Sequence, residues 1–409
     1  MTSLSVAAIL LASSASAINL FATSYNDHSL NVLSLDGSNL SVKQKSYDCG
    51  SEPTWLTYDE SYSVLYCLNE GWGGSASITT YETALDGSIK TRKVIPTLKS
   101  PVASTTIGNN LAIAYFDTSS VQIYRNPGSY AKEDHYSLEI RDSFTYNQSQ
   151  PGPVPDRQQV PHPHQAIFSN GDFPHLFVPD LGSDLIRMYY LGSGSGNVLG
   201  NVETLKPFPA VPGSGPRHGV FVKQPKNSRS FFYTVNELDN TITGYRHDYS
   251  KSIEFRTPNL TQLFHHSVHG PGGSVPAGTK ASEIALSPDN KFLIVSSRGE
   301  NSLTIPNFDP TNSTALPSDP LITFAIDQDT GFLKLVQTAP AGGRNPRGFS
   351  LNLAGTLVAS ALQDDNRVVV FERNVTTGLI GKVVAHATVG EGQGNGPNYV
   401  IFQEKTYTG

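Results

Sequence analysis

Residues 77–81 read Ser-Ile-Thr-Thr-Tyr and residues 241–245 read Thr-Ile-Thr-Gly-Tyr, and each stretch follows a short apolar strand that ends in a polar or loop residue. A strand of this kind follows an apolar strand seven times along the chain. Each copy has an aliphatic residue, and five copies have an aromatic residue three positions later. The aliphatic positions are Leu30, Ile78, Val121, Ile186, Ile242, Leu303 and Val368. The third residue after them is Tyr81, Tyr124, Tyr189, Tyr245 and Phe371 in five copies, Leu33 in the first and Pro306 in the sixth.

The spacing of the copies decides the fold class. Successive copies lie about 43 to 65 residues apart, which is the period of four-stranded propeller blades and too long for leucine-rich or ankyrin repeats. The pattern predicts an all-β protein, a seven-bladed β-propeller with four-stranded antiparallel blades. An open ring would leave an exposed edge strand, so we expect residues 399–404 to close the ring against blade one.

The composition indicates one domain and a small partner. Radial repetition lets a single domain exceed the usual size of one core, so we predict one propeller over residues 18–409. The net charge is −6, and no basic stripe is interleaved with aromatic residues. Nucleic acid and an anionic membrane are therefore not expected as partners. The sequence indicates no cofactor and does not define the oligomeric state.

The N-terminus indicates export. Residues 4–15 form an apolar stretch that ends at Ala15-Ser16-Ala17, the small-x-small pattern of a signal-peptide cleavage site, which predicts a signal peptide over residues 1–17. The stretch lacks a basic flank, and a buried N-terminal strand is the alternative. N-glycosylation sequons, all expected in turns or loops, begin at Asn39, Asn147, Asn259, Asn312 and Asn374.

The chain has two cysteines, Cys49 and Cys67. In an exported protein the expected state is a disulfide between them, and two buried free thiols are the alternative. Two cysteines without a nearby histidine pair lack the ligand spacing of a zinc site. A second histidine-rich segment, His265, His266 and His269, is expected to be a solvated loop between blades five and six, although metal binding is possible there.

Polar residues are expected to converge at one mouth of the central channel. In a propeller blade the innermost strand and the next strand are antiparallel, so the start of one and the end of the other lie on the same face. The relevant starts are residues 161–165, 215–218, 281–283 and 345–348, and the ends are residues 180–184, 235–238, 297–298 and 361–364. These segments supply the predicted catalytic residues His164, Arg217, Glu237 and Arg298, and the predicted substrate-binding residues His162, Gln165, His218, Glu283 and Arg347.

Several arginines close together point to an anionic ligand, because a guanidinium binds carboxylates bidentately. A histidine among them supplies a proton donor or acceptor. Structural alternatives remain open: the two glutamates could be internal partners of Arg217 and Arg298, and Arg347 could be structural in a Pro-Arg-Gly turn. His162 and His218 could support other residues without contacting the substrate.

At these residues the chain resembles the seven-bladed lactonases, a family that groups bacterial 6-phosphogluconolactonase with fungal 3-carboxy-cis,cis-muconate lactonizing enzyme. The resemblance covers roughly residues 19 to 405 and is strongest over residues 161–164, 215–218, 236–237, 282–289, 297–298 and 345–349. The site of the lactonizing enzyme is described as a His, two Arg and a Glu. The resemblance implies that these roles fall on His164, Arg217, Arg298 and Glu237.

The leading hypothesis is a secreted, cofactor-independent lactonase or cycloisomerase that acts on a small carboxylate-bearing lactone or muconate-like acid. Arg217 and Arg298 would hold a carboxylate or a developing oxyanion, and His164 would transfer a proton. Glu237 would orient an arginine or act as a second acid or base. The alternative is a secreted binding or surface-antigen propeller without turnover. The sequence contains no Gly-x-Ser-x-Gly motif, so it gives no support to a serine nucleophile of the hydrolase type.

Overall fold

The computed structural model describes residues 17–126, 135–169, 175–192, 200–223, 230–249 and 258–404, and within these residues it contains β-strands and no α-helix. Seven antiparallel sheets of four principal strands form the ring of a seven-bladed β-propeller, which confirms the predicted fold. The predicted signal peptide lies outside the described residues except for its last residue, Ala17.

The strands follow one another through the blades in chain order. Blades one to three contain β1 (Ile18–Ser24), β2 (Ser29–Asp36), β3 (Asn39–Ser46); β4 (Pro53–Asp59), β5 (Val64–Asn69), β6 (Ser77–Thr83), β7 (Ile89–Pro96); and β8 (Pro101–Ile107), β9 (Asn110–Tyr115), β10 (Ser120–Arg125), β11 (Glu139–Thr145). Blades four and five contain β12 (Ile167–Phe168), β13 (His175–Asp180), β14 (Leu185–Tyr190), β15 (Glu203–Thr204), β16 (Phe208–Pro209); and β17 (Pro216–Lys223), β18 (Ser230–Asn236), β19 (Thr241–Tyr249), β20 (Pro258–Ser267).

Blade six contains an additional hairpin, and the last strand returns to the beginning of the ring. The strands of blade six and its hairpin are β21 (Lys280–Leu286), β22 (Phe292–Arg298), β23 (Leu303–Ile305), β24 (Leu316–Ser318), β25 (Pro320–Ile326) and β26 (Leu333–Pro340). Blade seven and the last strand are β27 (Pro346–Leu351), β28 (Leu357–Leu362), β29 (Arg367–Arg373), β30 (Ile380–Thr388) and β31 (Pro397–Phe402).

The C-terminal strand closes the ring, as expected. β31 is the innermost strand of blade one and pairs antiparallel with β1, so that Phe402 lies opposite Leu20 and Val400 lies opposite Ala22. These side chains are buried in the cluster between blades one and seven. The first blade is thus built from both ends of the described chain, and β31 supplies the innermost strand that β1 would otherwise lack.

The repeat found in the sequence is the third strand of each blade, counted from the channel. Successive side chains of a strand point to opposite faces, so residues three positions apart face different neighbours. Ile78 of blade two packs against blade three, and Tyr81 packs against blade one. Ile242 of blade five packs against blade six, and Tyr245 packs against blade four. Each copy of the repeat therefore supplies one buried side chain to the blade on either side.

Blade six corrects one detail of the prediction. Leu303 lies in β23 of the inserted hairpin, so the third strand of this blade is β25. Its copy of the repeat is Leu321, followed three residues later by Phe324. Leu321 packs against blade seven and Phe324 packs against blade five, so this copy also supplies one buried side chain to the blade on either side. Because the inserted hairpin precedes β25, the copy of the repeat in blade six lies further along the chain than the spacing of the other copies predicts.

Candidate active site

Prolines fix where the channel-facing residues begin. The innermost strand starts with a proline opposite the last residue of the next strand in the pairs Pro53–Asn69, Pro216–Asn236 and Pro346–Leu362, and an isolated bridge joins Pro163 to Asp180. In the three strand pairs, which belong to blades two, five and seven, the register shifts directly after the proline. The next residue, Thr54, Arg217 or Arg347, therefore lies in a bulge, and a bulge re-aims the side chain it carries.

Glu237 is the centre of a cluster of guanidinium groups at this mouth. Its Oε2 accepts hydrogen bonds from Arg217 Nε at 2.9 Å and from Arg298 Nη2 at 3.1 Å. Its Oε1 accepts a hydrogen bond from Arg157 Nη2 at 2.7 Å. The Glu237 side chain is only 6% exposed. The segments expected to converge do meet, and Glu237 is the internal partner of the arginines.

The charges of this cluster determine what Glu237 can do. Burial raises the pKa of Glu237, but Arg298, Arg217 and Arg157 together lower it far below the usual carboxyl range. Glu237 is therefore ionised at neutral pH, which suits an orienting carboxylate and not a proton carrier. Burial and the neighbouring Arg298 lower the pKa of Arg217, whose Nη1 also donates to the Ser282 carbonyl at 2.7 Å.

Two histidines and a second glutamate lie next to Arg217. His218 Nδ1 is 3.0 Å from Glu283 Oε1, and the rings of His164 and His218 are 5.1 Å apart. Burial lowers the pKa of His218 to about 4. Burial, with Arg217 close by, lowers the pKa of His164 well below its usual value. Both imidazoles are neutral at pH 7, so His218 can donate Nδ1–H to Glu283. His164 Nδ1 is buried without a hydrogen-bond partner among the described residues.

The remaining predicted residues divide into two groups. Arg347 lies in strand β27 and not in a turn, and its guanidinium is 5.8 Å from the centre of the Tyr25 ring at the same mouth. His162 stacks on Phe116 with ring centres 4.0 Å apart. Gln165 Oε1 accepts a hydrogen bond from Gly219 N at 2.8 Å, and this side chain lines a separate space together with Glu283. His162 and Gln165 are thus not brought to the arginine cluster.

A cavity of about 330 Å³ opens between these groups. Its described lining includes four cationic side chains, three carboxylates and two aromatic rings, namely Arg157, Lys280, Arg298, Arg347, Glu70, Asp117, Glu237, Trp72 and Phe116. The volume suits one small ligand, since ligand sites range from about 300 to 1,000 Å³. His164 lies behind the lining residue Phe116, with ring centres 5.5 Å apart.

Sequence reasoning missed Arg157, Lys280, Glu70 and Trp72. Arg157 lies in the connection between β11 and β12, outside the repeat, so no periodic signal marked it. Glu70 did have a signal: it follows Asn69 at the end of β5, as Glu237 follows Asn236 at the end of β18. The equivalence of the two Asn-Glu pairs was visible in the sequence.

Other predictions have mixed outcomes. Cys49 and Cys67 form the predicted disulfide, with Cα atoms 5.9 Å apart. His265 and His266 lie on the outer strand β20 and not in a loop. Asn259 also lies within β20, and Asn39 begins β3, so not every sequon is in a turn or loop. The side chains of all five sequon asparagines are exposed.

The described residues contain neither a metal-binding cluster nor a membrane-spanning helix. No cluster of three or more His, Cys, Asp or Glu side chains suited to a metal ion occurs in the described part of the chain. The same residues include no helix that is long and apolar enough to cross a membrane.

The fold and the site together define a seven-bladed propeller with an arginine-lined cavity at one mouth of its channel. Residues 19–394 match the family described as Lactonase, 7-bladed beta-propeller. A protein of Arthroderma benhamiae named probable 6-phosphogluconolactonase is 32% identical over 336 residues, which are 81% of this chain and 76% of the relative. A 6-phosphogluconolactonase of Formosa agariphila is 28% identical over 278 residues, 68% of this chain and 67% of the relative.

A solved structure supports the same grouping. The periplasmic gluconolactonase of Pseudomonas aeruginosa superposes with a TM-score of 0.73 at 25% identity, covering 95% of this chain and 99% of that one. The chain belongs to the seven-bladed β-propeller lactonase family and is an enzyme of the lactonase class.

Proposed function

We propose that this protein is an exported, cofactor-independent lactonase that hydrolyses a small lactone carrying an anionic substituent. The observation that carries the proposal is the cavity at the channel mouth, where Arg157, Lys280, Arg298 and Arg347 converge on a space the size of one small ligand. The four cationic groups outnumber the three carboxylates of the lining, and this excess of positive charge favours a carboxylate or phosphate over a neutral ligand.

The arginines are held in place before a ligand arrives. Glu237 fixes Arg217, Arg298 and Arg157 by direct hydrogen bonds, so little side-chain entropy remains to be lost on binding. Arg217 is almost completely buried, whereas the Arg157 side chain is 32% exposed and can reach a ligand from the solvent side. We assign the anionic substituent to the exposed side of the cluster, near Arg157 and Lys280.

Lactone opening needs stabilisation of negative charge on the carbonyl oxygen as water adds to the carbonyl carbon. Arg298 and Arg347 line the cavity and supply fixed positive charge there, which is the usual source of oxyanion stabilisation. His164, as a neutral imidazole surrounded by guanidinium groups, is better suited to donate a hydrogen bond than to accept a proton, because an imidazolium would be repelled by Arg217 and Arg347.

The names of the relatives suggest which lactones to test. Two relatives carry the name 6-phosphogluconolactonase, and a solved neighbour is a gluconolactonase. A phosphorylated gluconolactone is therefore one candidate substrate. A carboxylated lactone would use the same arginine cluster, and so would the formation of that lactone from a muconate-like acid.

Export is part of the proposal. It is supported by the apolar segment that ends at Ala15-Ser16-Ala17 and by the disulfide between Cys49 and Cys67, a bond that persists in oxidising compartments. Exposure of all five sequon asparagines is compatible with N-glycosylation.

The test is a pH-stat assay with 6-phosphoglucono-δ-lactone, glucono-δ-lactone and 3-carboxymuconolactone, corrected for spontaneous opening. We expect kcat/KM for an anionic lactone to exceed that for the neutral one by about 10- to 150-fold, equivalent to one charged contact of about 1.5–3 kcal/mol. Arg298→Gln should remove most of this preference, whereas Arg125→Gln, at an exposed ion pair with Glu139, should leave it unchanged.

Two results would count against the proposal. Equal rates for neutral and anionic lactones would contradict the role of the arginine cluster. A protein that binds 6-phosphogluconate tightly but opens no lactone and cyclises no muconate-like acid would be the binding module considered above.

A further inference from the structure

Glu70 is the counterpart of Glu237 on the other side of the cavity. Each glutamate directly follows the asparagine that ends the second strand of its blade, and that asparagine lies opposite the proline that begins the innermost strand. The two residues are equally buried, with exposures of 5% for Glu70 and 4% for Glu237. Both line the same cavity. The repeat has therefore placed two carboxylates in equivalent positions, in blades two and five.

Their surroundings are opposite in character. Three guanidinium groups donate to Glu237. Glu70 instead receives neutral donors: Tyr25 Oη donates to Oε1 at 2.5 Å, and Trp72 Nε1 donates to Oε2 at 2.7 Å. The donors to Glu237 are thus charged, whereas the phenol and the indole that donate to Glu70 are neutral. Of the three described carboxylates that line the cavity, Glu70 and Asp117 have no direct ion pair, and Glu70 receives a donor on each of its oxygens.

The two donors fix the position of the Glu70 carboxylate without occupying all of its hydrogen-bond acceptor sites. Tyr25 Oη is also 2.6 Å from Thr54 Oγ1, and the rings of Tyr25 and Trp72 are 4.9 Å apart. A carboxylate has about four acceptor sites, so one donor on each oxygen leaves further lone pairs. Trp72 is 51% exposed, and its ring forms an outer wall of the cavity, next to the carboxylate.

Arg347 links this carboxylate to the anion-binding side. Burial lowers the pKa of Arg347, but Tyr25 and Glu70 raise it on balance, so the guanidinium is fully charged. Arg347 lies 5.8 Å from the ring of Tyr25, which donates to Glu70, so a lactone whose carbonyl oxygen faces Arg347 can turn its carbonyl carbon towards Glu70. The oxyanion donor and a proton acceptor thus both lie beside Tyr25 in the same cavity.

We propose that Glu70 is the general base of lactone opening, an assignment that rests on the proposed function. Glu70 takes a proton from a water molecule while the water oxygen bonds to the lactone carbonyl carbon. The resulting tetrahedral oxyanion then re-forms its C=O bond as the ring C–O bond breaks. The departing ring oxygen takes the proton back from Glu70, which yields a hydroxy acid and the original carboxylate. One water is consumed, and the new carboxylic acid releases its proton to solvent.

The test uses Glu70→Gln and Glu70→Ala in the full-length protein, with the lactone of the panel that the wild type opens fastest. Glu70→Gln should lower kcat by about 10²- to 10⁴-fold, the usual contribution of a general base, while KM changes by only a few-fold. Added formate should restore part of the Glu70→Ala activity in a saturable manner, because it replaces the missing carboxylate. Glu237→Ala is the matched control, and formate should not rescue it, because its loss disturbs three arginines.

The outcomes separate this assignment from the proposed function. A wild type that opens lactones, together with a Glu70→Gln variant within 10-fold of its kcat, overturns the role of Glu70 alone. Lost activity that formate does not restore assigns Glu70 to holding Tyr25 and Trp72 in place, and also overturns it. A wild type that opens no lactone removes the reaction and the assignment together. Partial rescue of Glu70→Ala, absent from Glu237→Ala, supports it.

Discussion

Removing the charge of Glu237 should destabilise the propeller as well as impair binding. In Glu237→Gln, Arg217 and Arg298 lose their shared carboxylate while they remain buried side by side, with side chains 3% and 13% exposed. Breaking a buried ion pair costs about 3–5 kcal/mol. At about 2.1 cal/mol/K of unfolding entropy per residue, this cost lowers the Tm of the 409-residue chain by roughly 3–6 °C if the ring unfolds as one unit.

The pH dependence of this loss follows from the direction of the pKa shift. The pKa of Glu237 is lowered in the folded protein, so its contribution is fully present above the usual carboxyl value of 4.5 and is lost as the pH falls below that value. Differential scanning calorimetry of wild type and variant should show the full difference at pH 7. The difference should shrink as the pH is lowered below 4.5.

A surface ion pair provides the control. Glu139 pairs with Arg125 at 3.2 Å, and both side chains are about half exposed. Pairs of this kind contribute about 0–1 kcal/mol, so Glu139→Gln should change Tm by roughly 1 °C or less. If Glu237→Gln unfolds at the wild-type temperature at pH 7, the three arginines do not depend on this carboxylate and our reading of the cluster is wrong.

Three other predictions concern the fold and its processing. Deleting residues 397–409 removes the innermost strand of blade one and should lower Tm by more than about 10 °C, because buried side chains such as Val400 and Phe402 each contribute about 2–5 kcal/mol; an unchanged melting curve would mean that the ring closes otherwise. Replacing Cys49 and Cys67 by serine should cost about 3 kcal/mol in the chain-entropy model, and two alkylatable thiols in the unreduced, denatured wild type would rule the bond out. Intact-mass analysis of secreted protein, before and after enzymatic deglycosylation, should show cleavage after residue 17 and mass lost on deglycosylation, and an unprocessed, unmodified chain would contradict export.

The sequence was sufficient for the fold because the repeat reflects a physical requirement. Every blade must bury one side chain against each neighbour, and an aliphatic residue followed three positions later by an aromatic residue meets this requirement in a single strand. Blade six was misplaced because the inserted hairpin contains Leu303 at an acceptable spacing. The buried pair Leu321 and Phe324 became distinguishable only once the strand pairing was known.

The site was predictable where residues are tied to strand ends and unpredictable elsewhere. Arg217, Glu237 and Arg298 lie at strand boundaries fixed by the blade geometry, so their meeting could be anticipated. Arg157 reaches Glu237 from a long connection whose path no periodicity describes. Gln165 accepts a hydrogen bond from Gly219 N, and no periodic signal in the sequence indicates that direction of its side chain.

The central claim is that the channel mouth binds the anionic group of a lactone or of its product. A crystal structure of the wild type with 6-phosphogluconate tests this claim most directly. We expect a phosphate or carboxylate within hydrogen-bonding distance of Arg298 or Arg347, with the ligand beside Glu70 in the 330 Å³ cavity. Ligand bound only elsewhere, or a mouth that stays free of ligand at saturating 6-phosphogluconate, would contradict it.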